Sequence, residues 1–268
     1  MEIIKRNFFS LLRSGALNEH VTLEPMSNFK WKRLFQLLET QKVVSIAIKG
    51  IRNHQYNTNI QIPQQFIEDL SSKIEEETDL FYEKPSLSTP ILNKRLQKIR
   101  NNEVHYIDTS TETLYLLDII VYNINHILNN GISLRGILEI GRFLRTEGEK
   151  VDFVKLDTWL NKLHIQQIAQ LQGSILIAVF NFERDEIPFV HQVERQAYNL
   201  ALLTLTHNEI DTSKEWHFRQ SKTGFVHNNN AMLRRNLKRS IRYIQYAPIE
   251  TTSNFISNIV RGLAEIEE

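Results

Sequence analysis

The chain reads as an all-α protein, an irregular multi-helix bundle of about eleven helices in two contacting halves. Three observations predict this class. Apolar residues recur at spacings of three and four along most of the chain, the period of a helix with one buried face. Only nine Gly and six Pro interrupt 268 residues. Connections between the periodic segments are mostly short, as in packed helical neighbours.

The first helix, about 2 to 14, sets Ile4, Phe8, Leu11 and Leu12 on one face, with Gly15 placed to end it. A loop with Pro25 follows, and Ser27 suits the N-cap of a helix carrying Trp31, Leu34, Phe35 and Leu38. A further run from Gln41 ends at Gly50. Val43-Val44-Ser45-Ile46 within it fits a strand as well, but a strand so isolated has no evident partner, and helix is preferred. Beyond the polar linker Asn53 to Asn59, Pro63 suits the first turn of a helix with Phe66, Leu70 and Ile74 spaced by four. From Glu83 to Asp108 the pattern weakens. This stretch holds Pro85, Pro90, a short basic amphipathic piece around Leu92 to Ile99 and a candidate extended segment, Glu103 to Asp108. It reads as a connection, 83–108, between an N-terminal helical half, 1–82, and a C-terminal one, 109–268.

Thr109, with Glu112 three residues on, has the pattern of a capping box opening a long apolar helix to Leu128, which Asn129-Asn130-Gly131 closes. Helices then follow at roughly 132–147, 152–163 with Asp152 as cap, 165–181, 188–207, 231–246 and 250–265. Between 188–207 and 231–246 lies a polar loop, Asn208 to Asn230. Its Trp216, Phe218 and Phe225 are expected to fold back onto the body, since exposed aromatics are costly.

An apolar fraction of 41% is enough for a sizeable core, and a formal net charge of +1 directs bulk electrostatics at no particular partner. The absence of cysteine excludes disulfides, thiolate zinc sites and a cysteine nucleophile, and makes a cytoplasmic setting the default expectation. At the N-terminus apolar and polar residues alternate, without the apolar region of a signal peptide. The longest apolar run, Ile175 to Phe180, falls far short of the roughly 20 residues that span a bilayer, so no transmembrane segment is expected.

The most distinctive stretch is His126 followed by Gly131-Ile132-Ser133-Leu134-Arg135-Gly136-Ile137-Leu138-Glu139-Ile140-Gly141-Arg142-Phe143-Leu144. It resembles the "GIGLRQ..DW..FL" signature of the nucleotidyltransferase-like family of bacterial polysaccharide loci, notably of Bacteroidetes. Phe8 to Gly15 resembles that family's "FF.LLR.G", Trp31 to Ile51 the helical pair after it, and Val151-Asp152-Phe153, Glu186 to Phe189 and Leu237 to Glu250 its later parts. The resemblance spans roughly 1 to 55 and 109 to 250, and it implies descent from an enzyme that acts beside surface-polysaccharide synthesis.

The family's catalytic core is missing. Nucleotidyl transfer needs carboxylates alternating on one strand to hold Mg²⁺ against the phosphates, and no Asp-x-Asp occurs in this chain. The interval from about 55 to 109 is too short for a mixed-sheet catalytic domain. Glu139-Ile140 replaces the family's Asp-Trp, and Tyr122 stands where the family commonly has a His before His126.

Candidate sites are therefore few. Glu75, Glu76, Glu77 and Asp79, with Glu68 and Asp69, form the densest acidic cluster, but consecutive helical residues diverge, and a solvated face is the simpler reading. His126, Arg135 and Glu139 outline a remnant ligand pocket, against the plainer alternative of an intrahelical Arg135–Glu139 pair and a satisfied histidine. Seven cations and no acid lie between Trp216 and Ile249, and Arg234, Arg235, Lys238 and Arg239 mark an anion-binding stripe for nucleotide, nucleic acid or acidic lipid, against a docked amphipathic helix with a basic outer face. The sequence predicts a non-catalytic binding or regulatory protein with a protein partner, no cofactor and no metal. Two alternatives stand beside it: a divergent metal-dependent nucleotidyltransferase using Glu75, Glu76, Asp79 and Asp108, and a nucleic-acid binder using the basic helix 231–246.

Overall fold

Helical periodicity in the sequence becomes helix almost throughout: twelve α-helices form among the described residues. The computed structural model describes residues 2–54, 62–72, 84–104, 110–205, 219–220, 226–227 and 230–264, with the backbone alone for 104, 219–220, 226–227, 230–235 and 261–264. The helices are α1 (Glu2–Leu17), α2 (Asn28–Thr40), α3 (Val44–Arg52), α4 (Gln64–Ser71), α5 (Pro90–Val104) and α6 (Thr111–Asn129). Then come α7 (Leu134–Glu147), a 3-10 turn (Gly148–Lys150), α8 (Phe153–Lys162), α9 (Gln166–Phe180), α10 (Ala197–Thr204), α11 (Asn230–Tyr243) and α12 (Pro248–Ala264). One two-residue antiparallel pair, β1 (Arg219–Gln220) with β2 (Val226–His227), sets Arg219 opposite His227. No helix among the described residues is long and apolar enough to cross a membrane.

Gly15 and Gly50 do not end helices, contrary to their sequence reading. Each lies inside one, at the point where α1 crosses α3. A Cβ at Gly15 would stand 1.9 Å from the Ile46 carbonyl oxygen, and a Cβ at Gly50 2.3 Å from that of Leu11. The two glycines therefore remove the side chains that would hold the backbones apart. The α1 helix continues to Leu17 and stops at Asn18, whose φ of 54° lies in the left-handed region that asparagine tolerates. Phe8, Leu11 and Leu12 of α1 are fully buried, and Phe9 meets Phe180 of α9 edge-on at 5.8 Å. Further along, Ser27 precedes α2 as expected, and Trp31 packs against Phe66 of α4 with ring centroids 4.9 Å apart.

Glu103 and Val104 are helical rather than extended, because the buried Glu103 carboxylate has work at the end of α5. It accepts from the Ser110 backbone N–H and from Lys155 Nζ, each at 2.8 Å, and so ties α5 to the starts of α6 and α8. Residues 105–109, including the proposed cap Thr109, lie outside the described residues, and Ser110 stands at the N-cap of α6. Asp152 caps α8 as read, accepting from Lys155 N at 2.9 Å, while its own N–H donates to Thr113 Oγ1 at 2.8 Å.

The predicted helix 188–207 shrinks to α10. Ile187, Phe189 and Val190 are buried at spacings of two and one, no helical period, because they press against Gly173 of α9. A Cβ there would lie 2.4 Å from Val190 Cγ2. Apolar content upstream of Ala197 thus reports a loop pinned into the core.

Two predictions follow from this packing. Gly15→Ala and Gly50→Ala should each cost at least about 1–3 kcal/mol, since backbone rather than a flexible side chain is in the way, whereas Gly148→Ala should stay within about 0.5 kcal/mol of wild type. Urea denaturation reads both, and equal midpoints for all three variants would refute the crossing. The second concerns His54, which is buried just after α3 with no partner for Nε2 among the described atoms. Burial pushes its imidazole below the ordinary 6.5, and His20 adds to the effect. The unfolded chain binds a proton that the folded chain refuses, so the stability this group contributes is complete above pH 6.5 and is lost as pH falls through the depressed folded value. The urea midpoint should drop on acidification through that window, and His54→Gln should flatten the drop.

Candidate functional site

The His126 to Leu144 stretch forms an α6–α7 hairpin whose polar groups are used in holding it together. Gly131 takes a φ of 103° with nothing near its missing Cβ, which lets the chain reverse. His126 Nδ1 lies 2.8 Å from the Gly131 carbonyl; facing a carbonyl, that nitrogen carries the proton and donates. One turn further in, buried Asn123 donates through Nδ2 to the Gly136 carbonyl at 2.9 Å, while its Oδ1 sits where a Gly136 Cβ would be, 1.9 Å away. Gly141 lets Leu176 and Phe182 approach to 2.8 Å of the same imagined position. Ser133 caps α7 by accepting from Gly136 N. The glycines of the signature thus serve a turn and two close contacts.

Arg135, Glu139 and His126 do not come together as a pocket. Glu139 binds Arg142 instead of Arg135, with Arg142 Nε 3.1 Å from Oε2. The order acid-then-base along a helix is the favourable one with respect to its dipole, and Arg135 precedes the glutamate. Glu139 also lies beside Tyr115 of α6, whose hydroxyl burial and then the Glu139 charge push up. Tyr115 is eleven residues before His126, so at 1.5 Å per residue the two ends of this supposed site are about 16 Å apart along α6. His126 is closing a turn while Glu139 meets the other end of the hairpin.

Lys238 is exposed, and Arg239 and Arg242 are half-buried; Arg234 and Arg235 have no described side chains. A docked helix with a basic outer face would turn Leu237, Ile241 and Ile244 inward; they point outward, with Ile241 64% exposed. Asn236 and Tyr243 are buried in their place, and burial pushes the Tyr243 hydroxyl up from its ordinary value.

On α12 too the aliphatic residues face away from the body. Its inner face is polar: the buried Glu250 carboxylate accepts from the backbone N–H groups of Ser88 at 2.7 Å and Thr89 at 3.0 Å, capping the start of α5 from a distance in sequence. Ser253 Oγ donates to the Ser88 carbonyl, and Asn254 and Asn258 both donate to Asn129 Oδ1, at 3.1 and 2.9 Å. Ile249, Ile256 and Val260 consequently face outward, Val260 at 59% exposure. Six aliphatic side chains of two neighbouring helices thus stand at the surface, beside cations. Sequence periodicity placed the α11 part of this stripe on one side of its helix but not on the molecule, and made no reading of the α12 part. The signal that would have found it is the Ser253, Asn254 and Asn258 ladder on the opposite face.

Two other arrangements offer less. A shallow open hollow of about 590 Å³ is lined by Glu183, Arg184, Asp185, Pro188, Val190 and His191. His191 Nε2 lies 3.1 Å from Asp157 Oδ1, a pair 34 residues apart that no sequence motif announces, and no nucleophile accompanies it in that lining. Glu75, Glu76, Glu77, Asp79 and Asp108 lie outside the described residues. Among the described residues no group of three or more His, Asp or Glu is placed to hold a metal ion.

The α12 tether is testable. Glu250→Ala, which leaves two backbone donors without their acceptor, should cost about 1–3 kcal/mol in urea denaturation, and Glu250→Gln, which keeps one acceptor, less. No change in either variant would remove the carboxylate from the account of how α12 is held. Against protein-family models, curated proteins and solved structures, the chain matches none.

Proposed function

We propose that this chain is a non-catalytic binding or regulatory protein that presents the outer face of α11 and α12 to a protein partner. The observation that carries the reading is the outward aliphatic residues Leu237, Ile241 and Ile244 of α11 and Ile249, Ile256 and Val260 of α12, the latter helix turning its polar side to the body. Aliphatic side chains exposed in rows on helix faces are costly in water, and such surface marks an interaction site. The ordered resemblance to the nucleotidyltransferase-like family, with its Asp-x-Asp core missing, supports descent from an enzyme of surface-polysaccharide loci that kept its helical parts. A cytoplasmic setting accords with the absence of cysteine.

The test compares wild type with Ile241→Asp as baits in the native host's extract, with quantitative mass spectrometry of what each retains. A protein retained by wild type and lost from the variant, with thermal midpoints unchanged, supports the reading. Identical retention overturns it, as does calorimetry with Mg²⁺ and nucleoside triphosphates that gives saturable heat lost on Glu76→Ala, the outcome expected of a divergent nucleotidyltransferase.

A further inference from the structure

The α11–α12 face has a charge as well as an apolar row. Between residues 236 and 260 the chain carries Lys238, Arg239 and Arg242 against a single acid, and that acid, Glu250, is 1% exposed and bound to the start of α5. No carboxylate therefore reaches the surface of this stretch. Along α11 the row Leu237, Ile241 and Ile244 follows spacings of four and three and covers about 10 Å; along α12, Ile249 to Val260 covers about 16 Å. Each is a straight line of side chains on one helix face, matched in length by two to three turns of a partner helix.

Other occupants fit less well. A second copy of the same face would set Lys238 and its neighbours against themselves. Nucleic acid calls for a surface much richer in cations than in aliphatics. A bilayer surface favours aromatic side chains at its boundary, and the outward row holds none.

Resting on the binding reading above, we infer that the partner contributes an acidic amphipathic helix, whose apolar side lies on the Ile241–Ile256 surface and whose carboxylates meet Lys238 at its rim. The recognition is the helix-in-groove mode, in which apolar anchors at helical spacing supply affinity and rim charge supplies selection.

Fluorescence anisotropy of the full chain tests this with two labelled peptides that share leucines at helical spacing, one carrying glutamates on its other face and the second lysines. The glutamate peptide should bind saturably, at least about tenfold tighter than the lysine peptide. Ile241→Asp and, independently on the other helix, Ile256→Asp should each weaken it about tenfold or more, while Lys238→Glu and added salt should weaken it by a few-fold. Equal binding of both peptides, binding of neither, or loss of glutamate-peptide binding to phosphatidylserine-containing vesicles that themselves sediment with the protein overturns the inference. If neither peptide binds while the host-extract comparison still separates wild type from Ile241→Asp, the acidic helix is wrong and the binding reading stands. If both experiments give nothing, both fall.

Discussion

At the crossing of α1 and α3 two backbones touch with no side chain between them, and much of the packing depends on that approach. A close crossing is possible only where both helices lack a Cβ on the facing side, and Gly15 and Gly50 answer each other across it. Because α1 also packs on α2, α7 and α9, its position against α3 decides where Phe8, Leu11 and Leu12 enter the core. Helix interiors disfavour glycine by about 1 kcal/mol relative to alanine, so the gain here comes from the interatomic contact the small residue permits. Gly136 against Asn123 and Gly173 against Val190 repeat the device on α7 and α9.

The C-terminal helices follow the opposite logic. Beside the buried Tyr243, Tyr246 and Ala247 at their junction, directed hydrogen bonds attach them: the Glu250 carboxylate at the start of α5 and the asparagines of α12 on Asn129. Such bonds are individually modest, but a removed partner leaves a buried polar group without compensation, and this holds the pair in one orientation. That orientation leaves the aliphatic residues outside. Their exposure is thus a consequence of how the two helices are fastened.

The segment most reminiscent of an enzyme family has an ordinary structural use in this fold. Its glycines make a reversal and two close contacts, its histidine donates to the carbonyl of the reversal, and its glutamate is occupied by the arginine one turn on. Each of these residues is accounted for by the hairpin itself. His126, Arg135 and Glu139 looked like a constellation because they are close in sequence, yet a helical hairpin separates near neighbours by its rise per residue.

By itself the sequence determined the all-helical class, most helix positions, the N-cap position of Ser27, the Asp152 cap and the reversal at Gly131, because each depends on interactions within a few residues. It also placed Trp31, Leu34 and Leu38 on one buried face through period alone. Whether a glycine ends a helix or admits a neighbour was beyond it, as Gly15 and Gly50 demonstrate, since the deciding atom belongs to another helix. The same holds for the apolar run at 187–190, which has no helical period because it answers to Gly173. Periodicity assigns an apolar stripe to a helix but not an inside or an outside to that stripe; only the tertiary structure decided that α12 docks through its polar side, because the acceptors and donors that hold it lie more than a hundred residues away.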